Sequence, residues 1–449
     1  MTDAKSFAIV FKNWSLRMND KFAQSAIPPF QGRAGGGYEY GQTLLLVILF
    51  LLPWQTRWIF SMPLLHGGVW EYGIGSLYAV EVLILIAALF SDWKKIGEIV
   101  KPLKRPIGIF VAVFCLSAMF GSDPVVSWGA LTHVILAVLL ALMITTSAIP
   151  RPRLAAAFVL GLIPAGMLGW FQVLTASSPS SKWFGLAAHL AVTPGVAVVE
   201  TSAGRLLRAY GTFPHPNIFG GYLAMGILMT LWLGSRHPSF SKRVWGWFVL
   251  ALFLSATLII TFSRSAMLGL LFGLICFFVL HRSTFKKNLA VLGMVFGLVL
   301  SATWFHSALL VRADAMDRLE QISVNERVSQ YGEFWDVFNV SPLLGTGTSA
   351  YTKTLGDIFP DRPAFDLQPI HNVFLLFLAE QGIAGVMALG FGLWALAKKT
   401  HALALRSTLY ALPLLPLALV DHYLWSSWSG LALLALLFAL LAKPDRLPA

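Results

Sequence analysis

Twelve apolar runs divide the chain, and they constrain its fold more than any other feature of the sequence. A helix needs roughly 20 apolar residues to cross a bilayer, where each backbone polar group must be satisfied internally. The chain is 12% charged, against about 25% in soluble domains. We therefore predict an all-α polytopic membrane protein with about twelve transmembrane helices. The runs lie near residues 42–58, 73–90, 106–121, 127–148, 154–175, 215–234, 244–262, 265–281, 288–305, 371–397, 405–420 and 424–442.

The distribution of basic residues predicts the orientation of these helices. If the chain starts in the cytoplasm, 23 of its 33 lysine and arginine residues fall on the cytoplasmic side. Cytoplasmic loops carry such an excess, so both termini are expected in the cytoplasm. Most of the other ten lie in the segments 176–213 and 306–370, which are therefore expected in the periplasm. The net charge of +12 is spread over short loops, which argues against a nucleic-acid partner.

The same assignment divides the chain into four parts. Residues 1–41 form a cytoplasmic N-terminal segment, and 42–305 hold transmembrane helices one to nine with the periplasmic loop 176–213. Residues 306–370 form a large periplasmic loop, whose apolar spacing predicts a helical segment folded onto the membrane face. Residues 371–449 hold helices ten to twelve. No internal repeat is visible, which disfavours a symmetric transporter.

Several familiar chemistries are not supported by the sequence. Cys115 and Cys276 lie inside apolar runs, so neither a disulfide framework nor a paired-cysteine metal motif is expected. The sequence contains no phosphate-cradling lysine loop, no HExxH helix and no GxSxG elbow. Asp123 and Glu71 are acidic residues on the predicted periplasmic face, but each is a single isolated carboxylate. We predict neither a metal site nor a cofactor.

The first candidate cluster is Arg205, Arg208, His215 and Asn217, which lie just before and at the start of the sixth apolar run. The two arginines are three residues apart, so one helical turn would place them on the same face. Guanidinium groups suit bidentate contact with phosphate. The alternatives are that the arginines meet lipid headgroups for topological reasons, and that His215, between two prolines, only braces a turn.

The second and third candidates lie at the ends of apolar runs on the same predicted face. Arg264 follows a very short loop between two runs, on the predicted periplasmic side, where basic residues are disfavoured. The alternative to a functional role is an arginine that only extends its side chain to the membrane interface. His371 and Asn372 open the tenth run, where a histidine could exchange a proton or merely cap the helix. Glu380 lies about 13 Å deeper and is better read as a structural group.

Two smaller candidates complete the set. Asn325 and Arg327 lie in the long loop, where a solvated or loop-bracing ion pair is the alternative reading. Asp421 and His422 lie between the last two runs, beside aromatic residues that could line a sugar pocket. A simple aromatic-belt turn would account for them equally.

The order and spacing of these segments resemble the O-antigen ligase and polymerase superfamily of bacterial envelopes. The resemblance covers roughly residues 200–395, and the N-terminal half matches only in topology. It rests on five short motifs in order. They are Arg208…Gly211–Thr212–Phe213…His215–Pro216–Asn217, Ser263–Arg264, Asn325–Glu326–Arg327, Pro342–Leu343…Gly345–Thr346–Gly347 and His371–Asn372…Glu380–Gln381–Gly382.

The resemblance implies a C-type glycosyltransferase-like fold in the bacterial inner membrane, with its site facing the periplasm. The implied donor is a glycan on undecaprenyl diphosphate, used without a metal or a nucleotide sugar. A ligase would transfer the glycan to lipid A–core oligosaccharide, a polymerase to another lipid-linked repeat, and an O-oligosaccharyltransferase to protein. The chain ends within about seven residues of its last run, which favours the ligase over protein glycosylation. A transporter of an anionic lipid or solute is the non-enzymatic alternative.

Residue roles follow from this implied reaction. Arg205, Arg208 and Arg264 would bind the lipid diphosphate and stabilise charge on the departing oxygen. His371 would orient or deprotonate the acceptor hydroxyl, which attacks the anomeric carbon with inversion. Substrate-binding roles are expected for Arg205, His215, Asn217, Asn325, Arg327, Asn372, Asp421 and His422, with membrane lipid as a further partner.

Overall fold

The computed structural model describes residues 36–202, 204–236, 241–280, 289–313, 318–399 and 412–443, and most of these are helical. The N-terminal segment 1–41 thus lies almost wholly outside the described residues. The α-helices of the described ranges are α1 (Gly36–Leu51), α2 (Ala79–Ala88), α3 (Trp93–Val100), α4 (Lys104–Phe120), α5 (Pro124–Thr146), α6 (Arg151–Thr175), α7 (Pro216–Ser235), α8 (Lys242–Ile260), α9 (Arg264–Leu280), α10 (Leu289–Trp304), α11 (His306–Ala313), α12 (Arg318–Val340), α13 (Tyr351–Ile358), α14 (Val373–Lys399), α15 (Leu414–Val420), α16 (Tyr423–Ser426) and α17 (Trp428–Ala442).

The all-α polytopic class predicted from the sequence is confirmed. Six described helical segments are long and apolar enough to cross a bilayer, namely α3 with α4, then α5, α6, α7, α8 and α14. Five shorter apolar helices, α1, α2, α9, α10 and α17, lie at five further predicted runs. The remaining run, 405–420, falls partly on residues outside the described ranges, and α15 covers its end. Several predicted runs are therefore occupied by helices shorter than the sequence predicted.

Short β-hairpins, which the sequence did not indicate, occur in the two loops after α1 and α6. Each pairs two antiparallel strands, and several strands have only two residues, too few for an alternating pattern to be visible. The pairs are β1 (Arg57–Ser61) with β4 (Gly75–Tyr78), β2 (Leu64–Leu65) with β3 (Gly68–Val69), β5 (Ser177–Ser178) with β6 (His189–Leu190), and β7 (Val198–Thr201) with β8 (Gly204–Leu207).

Small residues allow close packing in the helical bundle. Gly293 and Gly297 are four apart on α10 and face the backbone of α8. A Cβ added at Gly293 would lie 2.3 Å from the carbonyl oxygen of Phe248, and one at Gly297 would lie 2.3 Å from that of Leu252. This small-xxx-small arrangement lets two membrane helices approach through their backbones. It fixes α8, and with it the turn that leads to α9.

A second hydrophobic cluster lies outside the main bundle core and joins the loop after α1 to α12, α13 and α14. Trp70 from that loop, Phe334 of α12, Tyr351 of α13 and Leu376 of α14 are all buried in it. The indole of Trp70 also donates a 2.8 Å hydrogen bond to the hydroxyl of Thr352. The long loop 306–370 therefore packs on the start of α14, where His371 lies.

Two glycines let the turn after α12 pack directly on the backbone of α14. Gly382 interrupts α14 with φ +64°, and an added Cβ would lie 2.2 Å from the carbonyl oxygen of Leu343. Gly345 has φ +78°, and its Cβ would lie 2.3 Å from the backbone of Glu380. Backbone hydrogen bonds across this seam include Ile383 N–H to the Pro342 carbonyl at 2.9 Å. The seam fixes the position of α14 relative to the long loop.

We expect Gly382→Ala to destabilise the protein by at least about 2 kcal/mol, because the methyl group overlaps backbone and the φ angle is strained for alanine. Gly390→Ala in the same helix is the matched control, since nothing lies within 4 Å of its added Cβ. Thermal unfolding in detergent should show a clearly lower Tm for the first variant alone. Equal Tm values would contradict the close approach at Gly382.

Candidate functional site

A buried glutamine holds the segment that carries Arg208. The Oε1 atom of Gln172, on α6, accepts hydrogen bonds from the backbone N–H groups of Tyr210 (3.0 Å) and Gly211 (2.8 Å). Its Nε2 donates to the Gly211 carbonyl at 2.8 Å. Gly211 has φ +58°, and a Cβ there would lie 2.9 Å from the Phe219 ring. The irregular segment is therefore fixed against α6 and requires glycine at this position.

The same segment is bonded to the turn that precedes Arg264. The Nε of Arg208 donates to the Thr261 carbonyl at 2.8 Å, and the Ala209 N–H donates to the Ile260 carbonyl at 2.9 Å. Phe262 in this turn adopts φ +50°, which is uncommon for a residue with a side chain. Arg264 then begins α9. The two arginine motifs, far apart in sequence, thus share one piece of backbone structure.

A chain of hydrogen bonds runs from Arg208 to a buried carboxylate. The Nη2 of Arg208 donates to Asn217 Oδ1 at 2.8 Å, and Asn217 Nδ2 donates to Asp421 Oδ2 at 2.9 Å. The other oxygen of Asp421 accepts the backbone N–H of His422 at 2.9 Å. These contacts bring the start of α7 to the turn between α15 and α16. Asp421 therefore has both carboxylate oxygens engaged.

His371 is held by a second buried glutamine, Gln330 of α12. The Oε1 atom of Gln330 accepts the backbone N–H of His371 at 3.1 Å and lies 2.9 Å from its ring Nδ1. Because a backbone N–H can only donate, the atom facing His371 is the amide oxygen, and Nδ1 must therefore carry the proton. Neutral His371 then has an unprotonated Nε2, which can accept a proton.

His371, Asp421 and His422 form a compact group. One possible ligand atom from each lies within 4.8 Å of the others, and the two imidazole rings are 5.0 Å apart, edge to face. Imidazole and carboxylate are common metal ligands, so this trio is the metal-capable group of the described residues. We call Arg208, Asn217, Gln330, His371, Asp421 and His422 the polar cluster.

Two further arginines, Arg264 and Arg327, interact electrostatically with the polar cluster. Burial lowers the pKa of Arg208 to about 10, and the neighbouring charge of Arg264 lowers it further while Asp421 opposes that effect. Burial also lowers the pKa of Arg327, which interacts with Asp421 and Arg264. All three guanidinium groups remain protonated at neutral pH. Arg264, Arg327 and His371 are only half-buried, so this concentration of charge is open to solvent.

The ionisable groups beside these arginines differ in protonation. Burial lowers the pKa of His371 well below its usual range, and the charges of His422 and Arg327 lower it further. Burial raises the pKa of Asp421, but the positive charge that the adjacent histidines carry when protonated and the Asn217 hydrogen bond outweigh that effect and leave a net lowering. At neutral pH the polar cluster therefore combines an ionised carboxylate with a neutral histidine.

The expectation that Arg205 and Arg208 share a helical face is wrong. Arg205 lies in strand β8 and Arg208 follows it, and side chains three positions apart along an extended chain point to opposite sides. Arg208 is buried in the polar cluster. Arg205 instead faces Glu200 on the paired strand, with its Nε 3.5 Å from the carboxylate. Glu200 also receives a 3.0 Å contact from Arg318 of α12.

Two of the sequence candidates act as helix caps. His215 precedes α7, and its Nδ1 accepts the Asn217 N–H at 3.1 Å, as in the bracing alternative. Since Nδ1 accepts, neutral His215 carries its proton on Nε2, which can donate outward. Asn372 Oδ1 accepts the N–H groups of Phe374 (3.0 Å) and Leu375 (3.1 Å), so Asn372 caps α14. Asn325 is exposed on α12.

Two of the acidic residues considered above, Asp123 and Glu380, make structural contacts through their side chains. Asp123 caps α5 by accepting the Val126 N–H at 3.0 Å. Glu380 accepts a 2.7 Å hydrogen bond from the Trp425 indole and is buried. Glu71 is exposed in a short 3₁₀ turn. Asp123 and Glu71 are not among the residues that the structure groups as possible metal ligands.

Sequence reasoning missed Gln330 and Gln172 and underrated Asp421. Each acts through partners distant in the chain; Asp421 and Asn217, for example, are 204 positions apart. One local signal was available for Gln172, because a glutamine inside an otherwise apolar membrane run needs a polar partner. No comparable signal marks Gln330, which lies in a polar helix.

Comparison with known proteins gives one family match. Residues 248–390 match the family model described as O-antigen ligase. The match covers α9, the long loop and the start of α14, and so includes Arg264, Arg327 and His371. No curated protein matches the chain. The matched residues make up about a third of the chain, and the match supports a likeness to membrane glycosyltransferases of the O-antigen ligase and polymerase type.

Proposed function

We propose that this chain belongs to the O-antigen ligase superfamily and transfers an O-antigen glycan from undecaprenyl diphosphate to lipid A–core oligosaccharide. The reaction takes place at the periplasmic face of the bacterial inner membrane, with inversion at the anomeric carbon and without a metal ion. One observation carries the proposal. Arg208 is hydrogen bonded through Asn217 to Asp421, which lies in one compact group with His371 and His422, and Arg264 and Arg327 are close enough to lower the pKa of Arg208.

The guanidinium groups suit a diphosphate leaving group. Arg208 has five N–H donors, and its described hydrogen bonds use one on Nε and one on Nη2. Three donors therefore remain for phosphate oxygens, on a group whose orientation is already fixed. Arg264 and Arg327 add positive charge from two other elements. Donors fixed before the reaction stabilise charge on the departing oxygen with little reorganisation.

His371 suits the acceptor side of the reaction. Its Nδ1–H is bonded to Gln330, which leaves Nε2 able to accept the proton of a sugar hydroxyl. That hydroxyl attacks the anomeric carbon while the bond to the diphosphate breaks. The proton moves to His371 Nε2, and the bonding electrons leave on the diphosphate oxygen. Asp421, beside the ring, favours the imidazolium that forms.

The remaining candidates take supporting roles in this proposal. His215, through Nε2–H, and His422 are assigned to the glycan or its diphosphate, and Asn217 holds Arg208 against Asp421. Asn372 fixes the start of α14 next to His371. Asn325 is retained as a glycan contact at the exposed rim. Arg205, which pairs with Glu200, is left out of the diphosphate site.

Reconstitution tests the proposed reaction directly. Purified protein in proteoliposomes, with undecaprenyl-diphosphate glycan and lipid A–core, should form a lipid A–core product of higher mass on gels. His371→Ala protein is the matched control and should form none. If repeats lengthen on the carrier lipid instead, the protein is a polymerase. If no glycan moves to either acceptor, the transferase proposal fails.

Conservative replacement tests the guanidinium groups. We expect Arg208→Lys and Arg264→Lys each to lower kcat/KM about 10²-fold or more, because an ammonium cannot reproduce the fixed planar donors. Arg153→Lys, exposed at the start of α6, makes the same change away from the cluster and should retain activity. Steady-state transfer kinetics on equally folded proteins provide the measurement. Near-normal activity in both test variants would remove the guanidinium groups from the mechanism.

The pH profile tests the neutral histidine. Because burial disfavours the charged form, His371 in the free enzyme should stay neutral until the pH falls well below 6.5, so the acid limb of kcat/KM should lie there. Gln330→Glu places a carboxylate against Nδ1 and should move that limb up by about one pH unit or more. Gln321→Glu, exposed on the same helix, should not move it. An unshifted limb in Gln330→Glu would contradict the assignment.

Chelation tests whether His371, Asp421 and His422 hold a metal ion. We expect transfer to be unchanged by EDTA, because the arginines supply positive charge and both oxygens of Asp421 are engaged. The assay compares dialysed enzyme with and without added Mg²⁺, Mn²⁺ or Zn²⁺. Loss of activity on chelation, with recovery on adding one of these ions, would make this trio a catalytic metal site.

A further inference from the structure

Tyr72 brings an aromatic side chain from the loop after α1 to the polar cluster. Its ring lies edge to face against the imidazole of His422, with the ring centroids 5.8 Å apart. His422 in turn lies 5.0 Å from the ring of His371. The three rings therefore form a row that ends at the histidine assigned above as the base.

The turn that carries Tyr72 is fixed against the long loop. A Cβ added at Gly73 would lie 2.2 Å from the ring of Trp70, so the chain can turn this closely around the indole only with glycine. The indole is buried and donates its hydrogen bond to Thr352 of α13. Tyr72 is therefore held in place before a substrate binds, which lowers the entropic cost of any contact it makes.

The hydroxyl of Tyr72 is available to a ligand. Among the described residues it makes no hydrogen bond, yet it is not one of the buried polar atoms that lack a partner, so it is open to solvent. Burial of the side chain raises the pKa of Tyr72 well above its usual range, and the negative charges of Glu71 and Asp421 raise it further. The phenol therefore keeps its proton at neutral pH and can both donate and accept a hydrogen bond.

The charges around Tyr72 favour an uncharged ligand. Glu71 and Asp421, the two charged groups that act on its phenol, are both negative and would repel a diphosphate. A sugar hydroxyl meets no such repulsion, and an aromatic ring with a polar tip suits a saccharide. Because the diphosphate is assigned to the arginines, the sugar that lies beside Tyr72 and His371 is that of the acceptor.

The position of Tyr72 in the chain also suits a role in selecting the acceptor. Residues 248–390 match the family model and include Arg264 and His371, which act in the proposed reaction itself. Tyr72 lies outside this matched part, in the half of the chain that resembles the family only in topology. A contact from this half can differ between relatives without changing the groups that carry the reaction.

We propose that Tyr72 is an acceptor-binding residue, whose hydroxyl forms a hydrogen bond with a hydroxyl of the uncharged acceptor sugar, next to the hydroxyl that His371 deprotonates. This inference rests on the proposed transferase function and adds a residue that selects the acceptor. The ring stays against His422, and its hydroxyl fixes the orientation of the sugar. An acceptor that lacks the bonded hydroxyl loses this contact.

Tyr72→Phe tests the contact, because it removes only the hydroxyl and keeps the ring against His422. In proteoliposomes at saturating donor, we expect the KM for lipid A–core to rise about 5- to 10-fold, as the loss of one hydrogen bond predicts. The kcat and the KM for the donor should stay nearly unchanged. Tyr40→Phe, exposed at the start of α1, makes the same change away from the polar cluster and should match the wild type. If Tyr72 only braces His422, Tyr72→Phe should also match the wild type, and the proposal fails.

Deoxy acceptors identify the bonded group. Each lacks one hydroxyl of the acceptor sugar other than the attacking one. With one of them, the KM of the wild type should rise by about the same factor, and Tyr72→Phe should cause no further rise, because both changes remove the same hydrogen bond. Additive effects with every deoxy acceptor would overturn the contact.

Failure of this inference differs from failure of the proposed function. If the wild type transfers glycan to lipid A–core and Tyr72→Phe leaves the acceptor KM unchanged, only the role of Tyr72 is wrong. If the wild type instead lengthens repeats on the carrier lipid, the ligase assignment is wrong, and the same comparison with the lipid-linked repeat as acceptor decides the role of Tyr72. If the wild type moves no glycan to either acceptor, the transferase proposal fails, and this inference fails with it.

Discussion

The buried carboxylate of Asp421 allows three arginines to lie close together. Arg208, Arg264 and Arg327 repel one another, as their mutual electrostatic effects indicate, whereas Asp421 favours the protonated form of Arg208 and Arg327. Removing one partner of such a buried arrangement leaves a charge uncompensated, typically at a cost of about 3–5 kcal/mol. The arrangement also needs fixed geometry, which Asn217 provides by bonding to both Arg208 and Asp421. The geometry of the polar cluster therefore depends on this carboxylate.

Hydropathy was sufficient for the class of fold but not for the form of each crossing. The run near 73–90 was predicted as one helix, yet its first residues form the end of a 3₁₀ turn and then β4, and the helix α2 begins only at Ala79. A short apolar run does not distinguish helix from strand, because a buried segment of either kind can consist of consecutive apolar residues. The hairpins similarly depend on tertiary partners, such as the contact of Trp54 with Phe184, that no local pattern shows.

The residues of the candidate site could likewise be predicted from the sequence only in part. Arg208, Arg264 and His371 stood out because charged or titratable groups are costly next to apolar runs. Their grouping did not follow from the sequence, since it depends on the bonds of the Arg208 segment to α6 and to the α8–α9 turn. The error over Arg205 has a simple cause: three-residue spacing means one face on a helix and opposite faces on a strand. Gln330 could be found only from the structure.

The charges around His371 also suggest an order of events in the proposed reaction. In the empty site, burial and the charge of Arg327 keep the pKa of His371 low, so it is neutral but a weak base. A bound diphosphate would neutralise the arginines and bring negative charge close to the ring. Both effects favour the protonated form, so His371 becomes a stronger base only once the donor is in place. Deprotonation of the acceptor is then coupled to donor binding, and the acceptor hydroxyl is activated only when an anomeric carbon is available to attack.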